Sequence, residues 1–474
     1  MAVAVGDGFT LALTEDGNLW ATGSNDHGQL GIGNLQLQDA PVLINKITAF
    51  AGKEVTMVSA DAKNAACVTA DGDVYTWGSN SDGQLGRGFC IFNVTTPGRL
   101  DKSLFGNSPA VMVACGADFT IILTAQGHVW TCGQNYRGQL GLNHNSDVSV
   151  PTQIDPVNFG HAPIGMIAAG SDHSMALSRD GAVFTWGWNN HTQLGLGDGS
   201  TESTSHRDPL RKAKIWIPSR VPVTAFGGAA AVFISAGSIF SMVVTADGVL
   251  WACGAGNEFR LGLGHTKLYL GFQRVGGHEL FGEGGVRMIA CGYAHSLIVA
   301  KNGTMWSCGY GGRACLGTGK DNNERPTRVD MSELSHSSVV VVAAGLHSVA
   351  VTAHGRVSIW GMLEGSGPDR SAIHNADRLT PPFCAETHWT PCELSALSFS
   401  GERVGRWHDM REEHMLAFAM GRHADLAAVG GRTAYSDIFP EELLRGLFDS
   451  MRFKAGAGAS PALYALMGVH PCYE

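Results

Sequence analysis

The sequence predicts an all-β protein assembled from repeated units, because it combines a long repeat, strand-like segments and an excess of glycine. The stretch GDVYTWGSNSDGQLGRG, which begins at Gly72, is the best-formed copy of a recurring motif. Its copies open with glycines at positions 17, 72, 127, 181, 248, 303 and 355, and the last copy keeps only its first half. The spacings are 55, 55, 54, 67, 55 and 52 residues. Because one such unit cannot bury its apolar face alone, the repeat predicts a stacked or circular architecture.

Each period contains two predicted strands joined by a tight turn. Segments such as VACGADFTIILT precede the motif and alternate apolar residues with Thr, Val and Ile, which suits a half-buried strand. Asp-Gly or Asn-Gly pairs such as Asp71-Gly72 and Asn302-Gly303 suit hairpin turns. The second strand ends in Trp-Gly or its equivalent, and a glycine-rich loop and a linker follow. The repeat explains why 63 of 474 residues are glycine, against a usual share of roughly 7%.

Composition excludes several function classes. The formal net charge of −9 argues against affinity for nucleic-acid phosphates, so no direct nucleic-acid binding is expected. No apolar window of about 18 residues occurs, and the start MAVAVGDGFTLALT lacks a basic region and a cleavage site. We therefore predict neither membrane insertion nor secretion. The expected location is cytoplasmic, with nuclear or cytoskeletal association left open.

Most cysteines fall at equivalent positions of the repeat. Cys132, Cys253 and Cys308 occupy the position that other copies fill with Trp77, Trp186 and Trp360. A position that alternates Trp with Cys is typical of a buried packing site, which predicts unreactive thiols and a reducing compartment.

Two sets of residues resemble metal ligands, but neither has the pattern of a metal site. His173, His295 and His347 recur in the first segment of three repeats, so we predict that they hold strands by hydrogen bonds. Cys384, His388 and Cys392 have a spacing that fits no standard zinc site. No metal site and no cofactor is expected.

The motifs GxLWxxGxNxxGQLGxG and AxGxxHSxAL resemble the repeat of the regulator of chromosome condensation family over residues 1 to about 420. The resemblance implies a seven-bladed β-propeller of four-stranded blades. We expect the propeller to cover residues 1–428, with a short, helical C-terminal extension over 429–474. In that extension Pro440 stands at a suitable first helical position. The segment that precedes the motif has one more copy than the motif itself, near His414. This surplus predicts that N- and C-terminal strands share one blade and close the ring.

The fourth period departs from the repeat in two ways. It carries the extra residues, roughly 198–220, which include the main basic cluster of an acidic chain, and it has Trp188 where most copies have a small or polar residue. Aromatic and Arg residues are typical of binding hot spots. The predicted partner-binding residues are Trp188, Arg207, Arg211, Lys212, Lys214 and Trp216. The alternative is a solvated loop whose Trp216 and Ile217 pack onto their own blade.

No catalytic motif is present: the chain lacks G-x-S-x-G, a phosphate loop with Gly-Lys-Ser/Thr and His-Glu-x-x-His. The family resemblance implies three roles, namely ultraviolet-B sensing, nucleotide exchange on the small GTPase Ran, and protein interaction. The tryptophan-rich Gly-Trp-Arg-His-Thr motif of the photoreceptor is absent. The exchange factor's wedge loop is also missing, because the spacing after Trp-Gly is constant in the six intact copies. The sequence therefore predicts a non-enzymatic scaffold that binds other proteins, with a Ran-type exchange factor as the alternative.

Overall fold

The computed structural model describes residues 2–14, 17–197, 213–330, 338–361 and 392–393. They form seven antiparallel sheets of four strands, and each sheet uses four strands that are consecutive in the chain. This confirms the seven-bladed propeller. The expected C-terminal helices lie outside the described residues, so the boundary at 428/429 stays a prediction.

The strands of the first four blades are bounded as follows. Blade 1 contains β1 (Ala2–Val5), β2 (Phe9–Leu13), β3 (Leu19–Gly23) and β4 (Gln38–Ile44). Blade 2 contains β5 (Val55–Asp61), β6 (Asn64–Thr69), β7 (Val74–Ser79) and β8 (Asn93–Arg99). Blade 3 contains β9 (Ala110–Cys115), β10 (Phe119–Thr124), β11 (Val129–Gly133) and β12 (Val148–Gln153). Blade 4 contains β13 (Ile164–Ala169), β14 (His173–Ser178), β15 (Val183–Trp188) and β16 (Lys214–Arg220).

The last three blades follow the same plan. Blade 5 contains β17 (Ala231–Ala236), β18 (Phe240–Thr245), β19 (Leu250–Gly254) and β20 (Gln273–Gly276). Blade 6 contains β21 (Val286–Cys291), β22 (His295–Ala300), β23 (Met305–Tyr310) and β24 (Asn322–Arg328). Blade 7 contains β25 (Val339–Ala344), β26 (His347–Thr352), β27 (Val357–Gly361) and β28 (Cys392–Glu393).

Short helices cap the blades. They comprise α1 (Lys46–Phe50), α2 (His278–Phe281) and 3-10 turns at Lys102–Phe105, Pro156–Phe159, Val223–Phe226 and Asn257–Phe259. In five of the connections between blades the helix ends in a buried phenylalanine, and that ring meets an aromatic ring of the next blade. Phe159, for example, lies edge-on to Phe184 with centroids 5.3 Å apart. Sequence analysis missed this helix, although a Phe followed by Ala or Gly recurs once in each of these connections.

The two ends of the propeller differ in what they present. In an antiparallel meander, the loops after the first and third strands emerge at one end and the remaining connections at the other. We call the first end the loop face, because it carries the glycine-rich loops. The first strand of each blade packs beside the first strand of the next. Loops that follow first strands therefore surround the central axis, and loops that follow third strands lie further out.

Hydrogen bonds and apolar clusters connect neighbouring blades. Trp186 Nε1 donates to the Gln139 carbonyl of the preceding blade at 2.9 Å. Cys253 Sγ donates to the corresponding Gln193 carbonyl at 3.3 Å. The Trp and Cys of the repeat thus donate to equivalent carbonyls from the same buried position. This confirms the predicted packing site. Burial raises the pKa of Cys308 to about 12, so this thiol stays protonated.

The histidines also join blades, as predicted. His173 Nε2 lies 2.9 Å from Ser241 Oγ, and His295 Nε2 lies 2.7 Å from Ser348 Oγ. Both serines donate their own proton to a backbone carbonyl, so the imidazole Nε2 is the donor in each pair. Burial lowers the pKa of His173 to about 3 and that of His295 to about 4, so both rings are neutral.

The predicted closure of the ring is wrong. Blade 1 has its own innermost strand in Ala2–Val5, so no position is left there for a C-terminal strand. Blades 1 and 7 instead pack face to face, with Val5 in one apolar cluster with Val341 and Val349. His347 Nε2 meets Thr10 Oγ1 at 2.7 Å across this boundary. His414, which suggested the closure, lies outside the described residues.

Candidate functional site: a cation–aromatic platform on the loop face

Trp188 and Lys214 are brought together by strand pairing in blade 4. Trp188 ends β15, Lys214 begins β16, and the two residues face each other in the register of the sheet. The corresponding pairs are Ser79 with Asn93 in blade 2 and Tyr310 with Asn322 in blade 6. Blade 4 therefore presents a large ring and a cation at a position where the fold also accepts small polar residues.

The neighbouring blade 3 contributes two residues that sequence analysis missed. The guanidinium of Arg137 lies 3.9 Å from the Trp188 ring centroid and 4.9 Å from that of Tyr136. Arg137 Nη1 also bonds Asp172 Oδ2 at 2.9 Å, which fixes the guanidinium against the indole. The His191 ring also packs edge-on to Trp188, with centroids 5.0 Å apart. Stacking of this kind is worth about 0.5–2 kcal/mol, depending on exposure.

Lys214 lies between the rings of Tyr136 and Trp216 and extends this set of contacts. Its Nζ donates to the Tyr136 carbonyl oxygen at 2.9 Å, and it lies 5.8 Å from the Tyr136 ring and 5.6 Å from the Trp216 ring. Tyr136 is 43% exposed, whereas the two indoles are half-buried. Rings and cations thus alternate across the boundary between blades 3 and 4. We call Tyr136, Arg137, Trp188, Lys214 and Trp216 the cation–aromatic platform.

Trp216 lies against the neighbouring blade 3. A Cβ built on Gly138 would lie 2.9 Å from Trp216 Cε3, so the positive φ of +81° and the missing side chain at Gly138 both make room for the indole. The equivalent glycines of other blades make the same contact: Gly28 lies against Thr95, and Gly83 lies against Ser149. The indole is thus larger than the packing requires.

The remaining predicted residues are not placed. Arg207, Arg211 and Lys212 lie outside the described residues, in the stretch between Trp188 and Lys214. The structure joins Trp188, Lys214 and Trp216 and adds Tyr136 and Arg137. Sequence analysis missed the two additions because they sit one repeat earlier in the chain. Their signal was the pair Tyr136-Arg137 in a loop that has Ser81-Asp82 in the preceding copy.

Aspartates gather at the centre of the loop face, and we call Asp7, Asp61, Asp118 and Asp172 the acidic mouth. All four lie at or near the loops that follow first strands. Burial, together with the charges of the nearby Asp7 and Asp118, raises the pKa of Asp61 to about 7. Burial and Asp82 raise the pKa of Asp118 to about 6. The pKa of Asp172 is also raised by burial, although Arg137 opposes the shift. Asp61 and Asp118 therefore keep their protons to a higher pH than ordinary aspartates do.

Sequence analysis missed the acidic mouth as well. The signal was an Asp in the G-x-x-F or G-x-x-H segment, as in GDGF, GADF and GSDH. Among the described residues, no three His, Cys, Asp or Glu side chains are arranged to hold a metal ion. Cys384 and His388 lie outside those residues. No helix in the described part of the chain is long and apolar enough to cross a membrane.

Comparison with known proteins identifies the family. A model of the RCC1-like domain matches residues 1–275, which is more than half of the chain. The chain belongs to the RCC1-like family. Models of the regulator of chromosome condensation (RCC1) repeat match residues 286–314 and 302–351 further along this RCC1-like propeller.

Relatives of this RCC1-like chain carry different functions. The ultraviolet-B receptor UVR8 of Arabidopsis thaliana is 33% identical over 264 residues, which cover 56% of this chain and 55% of the receptor. The chain thus spans about half the length of that relative. The guanine nucleotide exchange factor SRM1 of Saccharomyces cerevisiae is 26% identical over 385 residues, which cover 73% of this chain and 77% of SRM1. The crystal structure of human WBSCR16 superposes with a TM-score of 0.62 at 27% identity, covering 73% of this chain and 84% of WBSCR16.

Proposed function

We propose that this protein is a non-enzymatic interaction propeller that docks a partner protein on the cation–aromatic platform. The observation that carries the proposal is the run of rings and cations across blades 3 and 4, at positions where blade 2 has the polar residues Ser79, Ser81, Asp82 and Asn93. Aromatic and Arg residues in a half-buried setting are the usual composition of binding hot spots. The propeller then acts as a subunit or adaptor of a larger assembly, in the cytoplasm or the nucleus.

The platform favours an acidic segment on the partner. It carries Arg137, which is paired with Asp172, and Lys214, in a chain whose net charge is −9. The sequence just before Lys214 contains Arg207, Arg211 and Lys212, together with Glu202 and Asp208. Complementary charge of this kind governs the rate and specificity of association more than its affinity.

The test uses substitutions taken from the protein's own repeats. Trp188→Ser copies Ser79, and Trp216→Thr copies Thr95, so both variants keep residues that other blades accept. A matched control is Val150→Ser, an exposed position of blade 3 outside the platform. Partners recovered with the intact chain are quantified by mass spectrometry for each variant.

The proposal expects the same partner to be lost from both tryptophan variants and retained by the control. Each truncation is expected to weaken its binding by about 2 kcal/mol or more, roughly 30-fold. A variant lacking residues 199–212 tests the basic stretch without removing β16, which begins at Lys214. Retention of every partner by both tryptophan variants would refute the platform as the docking site.

The alternative function is nucleotide exchange on a Ran-like GTPase. The similarity to the exchange factor SRM1 over most of its length is the observation that favours it. Release of a fluorescent nucleotide from Ran and other small GTPases, measured with and without this protein, separates the two functions. Catalytic acceleration would replace the scaffold proposal by the exchange factor.

A further inference from the structure

An apolar ridge stands on the loop face of blades 1 and 2, away from the cation–aromatic platform. It consists of Leu35, Leu37, Phe89, Ile91 and Phe92, which are all exposed. Phe92 is the most exposed of them, at 80%. Large apolar side chains clustered in water are typical of interaction surfaces.

Hydrogen bonds make the ridge one built surface. Asn25 Nδ2 donates to the Gln36 carbonyl at 3.0 Å, which holds the leucine loop against blade 1. Asn80 holds the second loop in the same manner, since its Nδ2 donates to the Phe89 carbonyl at 2.7 Å and its backbone N to the Phe92 carbonyl at 3.2 Å.

The two loops are also joined to each other. Asn93, which directly follows Phe92, donates from Nδ2 to the Asp26 carbonyl at 3.4 Å. Its Oδ1 lies 3.2 Å from His27 Nδ1. The side chains of the ridge therefore project from a braced support that spans two blades.

The fold does not need these apolar residues. The same loop in blade 3 reads Asn143, His144, Asn145, Ser146 and Asp147, and in blade 6 it reads Thr318, Gly319, Lys320 and Asp321. In both blades the strands that flank the loop form as they do in blade 2. Since polar loops support the same architecture, packing does not explain why blades 1 and 2 expose phenylalanine, isoleucine and leucine.

Carboxylates flank the ridge. Asp26 and Asp39 are exposed on blade 1. Asp82 faces blade 3 instead, where its Oδ1 accepts a hydrogen bond from Gln134 Nε2 at 3.3 Å. Arg87, in the loop that carries Phe89, turns inward and donates to the Thr76 carbonyl. Burial and the charge of Lys63 lower the pKa of His27, so this ring is neutral. Blade 1 thus places two exposed carboxylates beside the ridge, and Lys63, the cation that acts on His27, also acts on Asp7 of the acidic mouth.

We propose that the apolar ridge docks an amphipathic segment of a partner protein, with apolar side chains on the ridge and lysines or arginines against Asp26 and Asp39. The charge decides the class of partner, because an acidic segment or an anionic membrane would be repelled by these carboxylates. The ridge is independent of the platform, since the two surfaces lie on different blades.

The test uses the full-length chain and two designed peptides of about 18 residues with the same leucine face, one with lysines and one with glutamates on the other face. Binding is measured by fluorescence anisotropy. The ridge itself reports occupancy, because the exposed Cys90 lies between Phe89 and Ile91. Its alkylation rate in the native protein, read by peptide mapping, is expected to fall when the lysine peptide binds.

The expected result is binding of the lysine peptide, weakened at least about 10-fold by Phe92→Ser and about 3-fold by Asp26→Asn or Asp39→Asn. Val150→Ser, an exposed position of blade 3, and Trp188→Ser are the controls and retain binding. Equal binding of the glutamate peptide, full affinity in Phe92→Ser, or unchanged alkylation of Cys90 would overturn the proposal.

Two further experiments test whether the ridge binds a membrane or a second copy of this chain instead. Co-sedimentation with phosphatidylcholine/phosphatidylserine vesicles that is lost in Phe92→Ser would assign the ridge to a membrane. A dimer by light scattering that is lost in Phe92→Ser would assign it to a second copy of this chain. Either result without lysine-peptide binding overturns the proposal.

Discussion

Replacement of Asp61 by Asn is expected to stabilise the propeller, and the gain is expected to grow with pH. Asp61 ends β5 in the acidic mouth, and its Oδ1 accepts a hydrogen bond from the backbone N of Ala62 at 2.7 Å. An asparagine oxygen can accept the same bond without carrying charge. The substitution therefore removes the charge and leaves the local geometry in place.

The magnitude follows from the raised pKa. Burial together with Asp7 raises the pKa of Asp61 from 3.8 to about 7 in the folded protein. The folded chain then binds more protons than the unfolded chain between pH 4 and 7, so the free energy of unfolding decreases as pH rises through this window. The penalty that Asn removes is about 0.5 kcal/mol at pH 4 and at most about 4 kcal/mol at pH 8.

The measurement is the free energy of unfolding from urea denaturation of both proteins at pH 4 and pH 8. Asp39→Asn is the matched control, because Asp39 is an exposed carboxylate of blade 1. The control is expected to change stability by less than about 0.5 kcal/mol at either pH. An equal effect of Asp61→Asn at both pH values, or a loss of stability at pH 8, would refute the conclusion that ionised Asp61 destabilises the folded protein.

Three further predictions concern the joints between blades and the thiols. Ser241→Ala removes the hydroxyl that donates to the Gln193 carbonyl at 2.7 Å and meets His173 Nε2 at 2.9 Å, so we expect urea denaturation to show a loss of about 1–3 kcal/mol. Unchanged stability would contradict the assigned joint. Thr192→Gly is expected to stabilise the protein by about 1 kcal/mol, because Thr192 has φ +59° where Gly28, Gly83 and Gly138 stand in other blades. A lower midpoint of urea denaturation would contradict this prediction. Among the described cysteines, native alkylation followed by peptide mapping is expected to modify Cys90 and to spare the buried thiols, which are Cys67, Cys115, Cys132, Cys253, Cys291, Cys308 and Cys315. Rapid labelling of any buried thiol would show that its blade opens.

The repeat made much of the fold predictable from the sequence. The period, the Asp-Gly turns and the alternating Trp and Cys are local patterns, and each copy confirms the others. The burial of Trp186 and Cys253 and the structural role of His173 were therefore accessible without coordinates. The closure of the ring was not, because counting segment copies does not reveal which strands occupy a blade.

The sequence by itself determined the repeated unit, the number of blades and the absence of known catalytic motifs, because these depend on residues close together in the chain. Only the tertiary structure decided which residues meet on the loop face. Arg137 and Trp188 are separated by nearly one repeat, and the members of the acidic mouth by about one repeat each. Such contacts arise because every blade packs on its neighbour around the axis, so a residue's partners come from the adjacent repeat.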